Sequence, residues 1–226
     1  ASYYSKSNEK ALPGYYEVLL ETHHIKVELT ASDRVAFHRY TFPKIAEKYV
    51  MINLKDANGD DRPTDTYLEQ VNDTTVRGYR CSTGWSKQQQ VYFTAVFSEP
   101  VHLALYHDSI SVQGSILQGV DVKGNIIVAS DVEKLDMKVG ISPVSMENAA
   151  ANIQQEIADW NFERIVGETT AKWNAELSKL QVTTTDTVAK RIFYTALYHA
   201  FIQPTMFNDY NKEYRGTDKN VYGDPG

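Results

Sequence analysis

Apolar and polar residues alternate with a period of two over residues 14–141. The first two alternating runs, at residues 16–20 and 25–29, flank Thr22-His23-His24, which predicts two strands joined by a short turn. Further alternating runs cover residues 35–42, 49–54, 74–80, 91–97, 101–107 and 135–141. About ten such strands, separated by turn clusters and without a helical period between them, predict an antiparallel β-sandwich rather than a parallel α/β sheet.

The apolar period changes to three or four residues at Pro143, which predicts helices in the rest of the chain. The predicted helices cover residues 146–160, 162–180 and 187–203. The third begins near Asp186, a good N-cap residue, and stops before Pro204. Its apolar residues lie on most sides of the axis: Ile192, Phe193, Ala196, Leu197, Ala200, Phe201 and Ile202. Because such a helix normally packs against protein on most sides, we expect it to open a larger α-helical domain.

The charge balance excludes two classes of partner. The chain has 23 Lys and Arg against 29 Asp and Glu, a formal charge of -6. A general nucleic-acid binder or a binder of anionic membranes needs a surplus of positive charge, so neither partner is expected. The longest apolar stretch, residues 192–202, contains Tyr194, Tyr198 and His199, and no membrane span is predicted.

The cysteine count and the first residues bear on the compartment. Cys81 is the single cysteine, so the chain cannot form an internal disulfide, and this fits the cytosol as well as a bacterial periplasm or cell surface. Residues 1–10 lack the basic-then-apolar order of a signal peptide. The start at Ala1, without an initiator Met, suggests a mature or trimmed chain.

Two groups of residues invite a metal-site interpretation. His102 and His107 lie five positions apart on one predicted strand, which places them on opposite faces and argues against joint ligation. The loop at residues 56–61 offers the oxygen ligands that calcium prefers, but Gly59 and Tyr67 break the EF-hand spacing. An Asn-Gly hairpin turn without functional calcium is therefore the expectation for this loop.

One segment stands out among the candidate binding residues. The chain contains no G-x-S-x-G elbow, no phosphate-binding glycine loop and no evident pair of catalytic carboxylates. At residues 78–85, however, a predicted strand containing Arg80 ends in a loop of small residues that presents Trp85. An exposed Trp beside an Arg can hold a sugar, the indole on the apolar C–H face and the guanidinium on hydroxyls. The alternative is that Trp85 packs on the edge of the sandwich core.

Several segments together resemble glycoside hydrolase family 92, the calcium-dependent exo-acting α-mannosidases, mostly α-1,2-mannosidases. The segments are Leu12-Pro13-Gly14-Tyr15-Tyr16, Glu28-Leu29-Thr30-Ala31-Ser32-Asp33-Arg34, Phe37-His38-Arg39-Tyr40-Thr41-Phe42-Pro43, Gly78-Tyr79-Arg80 with Gly84-Trp85, Val139-Gly140-Ile141-Ser142, Phe193-Tyr194-Thr195-Ala196-Leu197-Tyr198-His199 and Tyr214-Arg215-Gly216. They occur in order across nearly the whole chain. Ser32, Ala36 and Ser86 depart from the family's usual residues, and none of these changes touches chemistry.

The resemblance implies a domain organisation. Residues 1–143 would form a β-sandwich similar to the galactose mutarotase supersandwich, residues 144–182 a helical linker, and residues 183–226 the start of a truncated (α/α)6 barrel. The active site of the family lies between sandwich and barrel. This chain resembles a portion that begins after the family's early glycine-rich loop and stops before its Trp-Asp-Thr segment.

The resemblance also implies the chemistry. The longer protein would be an inverting, calcium-dependent exo-α-mannosidase acting on terminal α-linked mannose, mainly α-1,2, of N-glycans or mannans in the periplasm or outside the cell. The Ca²⁺ ligands, the general acid and the general base are expected in the barrel, so no catalytic residue of this chain is assigned. Trp85 and Arg80 are expected to bind substrate. The expected partners are mannose-containing glycans and the remaining barrel of the same polypeptide.

A second interpretation is a non-catalytic carbohydrate-binding or structural β-sandwich module. The predicted helix at residues 187–203 distinguishes the two, because a self-sufficient module has no reason to carry a helix whose apolar surface needs absent partners.

Overall fold

The computed structural model describes residues 2–44, 47–57, 59–203 and 205–223, and antiparallel strands followed by three helices make up most of this part of the chain. The strands before the helices are Glu9–Leu12 (β1), Tyr15–Leu20 (β2), Ile25–Ala31 (β3), Val35–Thr41 (β4), Lys48–Asn53 (β5), Arg62–Asn72 (β6), Thr75–Thr83 (β7), Gln89–Phe97 (β8), Val101–His107 (β9), Ile110–Val112 (β10), Ile116–Gly119 (β11), Val122–Val128 (β12) and Lys134–Ser142 (β13). The helices Met146–Glu156 (α1), Phe162–Leu177 (α2) and Thr187–Phe201 (α3) follow, and a hairpin of Glu213–Arg215 (β14) and Val221–Gly223 (β15) comes after them. The predicted sandwich followed by helices is confirmed.

The sandwich consists of two sheets of unequal size. The larger sheet has the strand order β1-β2-β3-β4-β13-β8-β7-β6-β11, and the smaller has the order β10-β9-β12-β5. Their facing side chains form the main core, in which Leu68, Leu103, Ile126 and Leu135 are fully buried. A second core lies on the other face of the larger sheet, where Phe37 packs against the helices.

The alternating runs correspond to strands, but they miss part of the sheet. The predicted hairpin at residues 16–29 is present, with Val18 opposite Val27 across β2 and β3. Strands β1, β6, β10, β11 and β12 do not correspond to any of the alternating runs. In β6 the alternation is obscured by Pro63 and by polar residues such as Glu69 and Gln70, because this strand has one solvated face and register shifts at both ends.

The loop at residues 56–61 is not a hairpin turn, contrary to the prediction. It leads from β5 in the smaller sheet to β6 in the larger sheet, so its ends do not pair with each other. Asn58, on which the Asn-Gly turn depended, lies outside the described residues. Alternating patterns predict the face of a strand but not its neighbour, which is why the crossing between sheets was missed.

Helix α1 ends at Glu156, before the predicted end at residue 160. The buried Lys138 explains the early stop, because its Nζ donates to the carbonyls of Ile157 (3.0 Å), Ala158 (3.3 Å) and Asp159 (3.3 Å). Trp160 then covers this ammonium group, with its ring centroid 3.9 Å from Nζ. The chain turns there, and α2 packs its first residues on the outer face of the larger sheet.

Helix α3 begins where it was predicted to begin. Asp186 caps it by accepting from the backbone N–H groups of Val188 and Ala189, each at 2.9 Å. Pro204, the predicted stop signal, lies outside the described residues, and the helix ends at Phe201. None of the helices in the described part of the chain combines the length and the apolar character needed to cross a membrane.

Candidate functional site

Arg80 is held by protein partners near the end of β7. Its Nη1 donates to Oδ2 of Asp61 at 2.6 Å, and its Nε donates to the carbonyl of Leu54 at 2.9 Å. The neighbouring Ser82 hydroxyl and the Arg80 guanidinium lower the pKa of Asp61, so this carboxylate stays ionised. The remaining nitrogen, Nη2, is buried and has no hydrogen-bond partner among the described residues, which restricts what this side chain can offer to a ligand.

Trp85 lies in the loop at residues 84–88, between β7 and β8, and it is fully exposed. The alternative that it packs on the edge of the sandwich is therefore wrong. Gly84 lets the loop approach the backbone of Asp61 closely, since a Cβ at this position would lie 2.8 Å from the Asp61 Cα. Arg80 holds Asp61 and Asp61 supports Gly84, so the two predicted binding residues are linked through this contact.

An apolar cavity of about 410 Å³ opens between the two sheets beside Arg80. The smaller sheet contributes Ile52 and Leu54 to its wall, and the larger sheet contributes residues of β7, β8 and β13. Such a wall can exclude water and shape a neighbouring site, but it offers no acid or base.

The segment after α3 returns to the sandwich and docks at the start of the helical region. Asp209 is buried there, 1% exposed. Its carboxylate accepts from Ser142 Oγ at 2.6 Å and from the Nδ2 atoms of Asn148 and Asn152, each at 2.8 Å. Donors from the last strand of the sandwich and from α1 thus meet on one carboxylate.

Arg215 fixes the hairpin of β14 and β15 at the same junction. Its Nε donates to the carbonyl of Pro143 at 2.9 Å, and its Nη2 donates to that of Val144 at 2.8 Å. The guanidinium also lies 5.8 Å from the ring centroid of Tyr92 in β8. The turn of this hairpin, residues 217–219, faces residues 86–88 of the Trp85 loop across a cavity of about 550 Å³.

The buried carboxylates of the described residues are committed to donors. Asp136 accepts from Nε and Nη2 of Arg39 at 2.9 and 3.3 Å, and Asp209 accepts the three bonds given above. The oxygens of both carboxylates are taken up by these donors, which leaves no free position for water or for a glycosidic oxygen. Neither residue has the surroundings of a general acid or base.

The described residues offer no ready metal centre. Nowhere in residues 2–44, 47–57, 59–203 and 205–223 do three His, Cys, Asp or Glu side chains come together as ligands would. His102 is exposed and lies on the opposite face of β9 from His107, as predicted, and His107 bonds Asp121 at 2.8 Å. Asp56 accepts from Asn53 at 2.8 Å. These groups do not fit a calcium site.

Helix α3 has no buried residue among those described. Val188 and Ile192 are 66% and 65% exposed, and Phe201 and Ile202 are also exposed. The helix touches α2 through Tyr198, whose ring centroid lies 4.6 Å from that of Trp173. The apolar surface that the sequence predicted to be covered is thus largely open.

The sequence matches two family models, which identify the family of the chain. The glycosyl hydrolase family 92 N-terminal domain matches residues 1–142, and the glycosyl hydrolase family 92 catalytic domain matches residues 148–225. The chain belongs to glycosyl hydrolase family 92. The Trp85 loop thus lies in the part matched by the N-terminal domain, and the facing hairpin lies in the part matched by the catalytic domain. No curated protein sequence matches the chain.

Solved structures of family 92 enzymes agree with this membership. The chain is 30% identical to the GH92 alpha-mannosidase BT3965 from Bacteroides thetaiotaomicron, with a TM-score of 0.93. The alignment covers 100% of this chain and 31% of BT3965. BT3965 has also been solved in complex with mannoimidazole. The GH92 glycosyl hydrolase ccman5 is 27% identical, with a TM-score of 0.89 and coverage of 100% and 32%. The GH92 inverting mannosidase BT2199 from Bacteroides thetaiotaomicron VPI-5482 is 24% identical, with a TM-score of 0.86. The alignment covers 98% of this chain and 30% of BT2199, and the two proteins share the fold.

The structure brings together some residues that sequence reasoning named and others that it missed. Trp85 and Arg80 lie at the same corner of the sandwich, although two of the donor nitrogens of Arg80 already donate to Leu54 and Asp61. Asp61 was considered only as part of a calcium loop, and Asp209 was not singled out. Arg215 belonged to a segment that carried the family resemblance, which was the one available signal for its importance.

Proposed function

We propose that the chain is the N-terminal portion of an inverting, calcium-dependent exo-α-mannosidase, and that the sandwich forms one wall of the sugar site. Family membership supports the reaction class, and the chain spans about 31% of the length of BT3965, so the whole protein's activity is our proposal. The substrate we propose is terminal α-linked mannose, joined mainly α-1,2, in N-glycans or mannans. We propose that the enzyme meets this substrate in the periplasm or outside the cell.

The observation that carries the proposal is the exposed indole of Trp85 at the border between the two matched regions. The apolar surface of a fully exposed indole is hydrated unfavourably unless a ligand or partner covers it. An indole face suits the C–H face of a sugar ring. Arg80 contributes mainly by holding Asp61 under this loop, with Nη2 as its remaining donor. We propose that Trp85 contacts the sugar on the leaving-group side of the scissile bond.

Hydrolysis with inversion needs a carboxylic acid that protonates the glycosidic oxygen and a carboxylate that activates water on the opposite face, about 6.5–9.5 Å apart. The buried carboxylates described here are bonded to Arg39, Ser142, Asn148 and Asn152, so we place both catalytic groups outside this chain. We place the calcium ligands there as well, because the described residues do not fit such a site. BT2199, which shares this fold, is an inverting mannosidase.

Helix α3 supports the enzyme over the rival binding or structural module. A self-sufficient module buries the apolar face of its helices, whereas Val188 and Ile192 of α3 are about two thirds exposed. We propose that the rest of an α-helical barrel of the same polypeptide covers this helix.

The test uses the longer protein, of the length of its relatives, with α-1,2-mannobiose as substrate. We expect α-mannosidase activity, a β-anomeric first product in ¹H NMR spectra, and loss of activity on calcium removal. Trp85→Ala should raise KM about three- to tenfold, the worth of one aromatic contact. Tyr49→Ala removes another exposed aromatic side chain, on β5, and should leave KM unchanged. An α-anomeric first product, or equal effects of the two substitutions, would contradict the proposal.

A further inference from the structure

We propose that Asp209 and Arg215 are positioning residues that act on sugar binding by holding the hairpin that faces the Trp85 loop. This inference rests on the proposed function, because the hairpin that these two residues hold would form the wall of the sugar site opposite the Trp85 loop. Neither side chain is suited to touch a sugar there, since both are bonded to the sandwich and to α1 or its preceding turn.

Asp209 fixes the place where the returning chain begins its hairpin. Besides accepting three side-chain bonds, it donates its backbone N–H to the carbonyl of Glu213 at 2.8 Å, and its own carbonyl accepts from Lys212 N at 2.9 Å. The same residue therefore closes the turn that leads into β14 and ties that turn to Ser142. A change at its carboxylate should loosen the start of the hairpin.

Arg215 fixes the other side of β14. It reaches the carbonyls of Pro143 and Val144 in the connection between β13 and α1, and its Nη1 donates to the carbonyl of Lys219 at 2.8 Å. The last bond ties the strand to the hairpin's own turn, which is the part that faces the Trp85 loop. The orientation of the turn thus depends on one guanidinium that is anchored to the sandwich.

The Trp85 loop itself has little support on the hairpin side. Its described hydrogen bonds are local, from Gly84 N to Ser86 O at 2.9 Å and from Ser86 Oγ to Gln88 O at 3.0 Å. The loop also packs closely on the backbone of Asp61 through Gly84. The cavity beside residues 86–88 of this loop is bounded on the far side by residues 217–219, so the anchoring of the hairpin sets the width of the gap next to the Trp85 loop.

A structural role alone would make the same substitutions destabilising without a specific effect on Trp85. Lys138→Met provides the matched control, because Lys138 is a buried charged anchor of α1 that touches neither the hairpin nor the Trp85 loop. Asp209→Asn keeps the shape of the side chain but turns an N–H₂ group toward donors, and Arg215→Lys keeps the charge but loses the paired carbonyl contacts.

The first measurement is hydrogen exchange on the 226-residue chain, read in peptides that cover residues 84–88 and 213–223. Asp209→Asn and Arg215→Lys should each speed exchange about tenfold in residues 213–223, the effect of losing one charge-assisted hydrogen bond. Residues 84–88, whose hydrogen bonds are local, should exchange as in the wild type. Lys138→Met should lower the unfolding midpoint and leave both segments as in the wild type. If exchange in residues 213–223 is unchanged in both variants, these side chains do not anchor the hairpin and the inference is wrong. Arg215→Lys decides the point if Asp209→Asn does not fold.

The second measurement is a double-mutant cycle in the longer protein with α-1,2-mannobiose. Asp209→Asn and Arg215→Lys should raise KM several-fold with kcat nearly unchanged, and neither should raise KM further in the Trp85→Ala background. Additive effects on KM, or a fall in kcat in both backgrounds, would overturn the inference. A longer protein without α-mannosidase activity would refute the proposed function instead, and the exchange data would still decide whether Asp209 and Arg215 anchor the hairpin.

Discussion

Burial of His38 predicts a loss of stability in mild acid. The imidazole lies on β4, with Nδ1 2.9 Å from the hydroxyl of Tyr40, and burial lowers its pKa from 6.5 to about 4. The unfolded chain takes up a proton on this ring below pH 6.5, whereas the folded chain does so only near pH 4. The stabilising contribution is therefore complete above pH 6.5 and is lost as the pH falls through this window.

The shift corresponds to about 3 kcal/mol of unfolding free energy lost between pH 6.5 and pH 4. Urea unfolding of the chain across this range measures the loss. His38→Gln should reduce the pH dependence by about that amount, because a neutral amide takes up no proton. His102→Gln, at an exposed position on β9, is the matched control and should leave the pH dependence unchanged. An equal pH dependence in the wild type and in His38→Gln would refute the reasoning.

Three further predictions concern the core, the third helix and the loop at residues 56–61. Phe37→Ala should lower the unfolding free energy by about 3–5 kcal/mol in urea titrations, since the ring is fully buried 5.1 Å from that of Phe162; a loss below about 1 kcal/mol would contradict this packing. The chain should self-associate through the open apolar face of α3, and Ile192→Lys should reduce this association in sedimentation velocity runs, because the side chain is 65% exposed there; unchanged association would place the contact elsewhere. Calorimetry should find no tight calcium binding to the chain, and binding that Asp60→Ala abolishes would show that this loop is a calcium site after all.

Local patterns predicted the elements of this fold better than their arrangement. Val18 and Val27 follow the alternation and face each other across β2 and β3, because a period of two places every second residue on one face. The same pattern cannot tell that β5 and β6 belong to different sheets. Nor can it give the end of α1, which depends on Lys138 from a strand that precedes the helix.

The candidate site was predictable only where one short segment contains the chemistry. Trp85 could be singled out because it lies in a loop of small residues that follows a strand, and its side chain is exposed to solvent in the structure. Asp209 could not be found this way, because its partner Ser142 lies 67 positions away and no local pattern links them. Arg215 and Pro143 are likewise 72 positions apart. Such contacts arise from tertiary structure and leave no periodic trace in the sequence.

The central claim is that this chain supplies one wall of a mannosidase site and that the reacting groups lie elsewhere in the polypeptide. The most direct measurement is the turnover of an aryl α-mannoside, with calcium present, by the 226-residue chain purified free of any later fragment. We expect no turnover by this chain and clear turnover by the longer protein, since an acid and a base each contribute typically about 10²–10⁴-fold. Turnover by the chain comparable to that of the longer protein would mean that the catalytic carboxylates lie within these residues, and it would contradict the account.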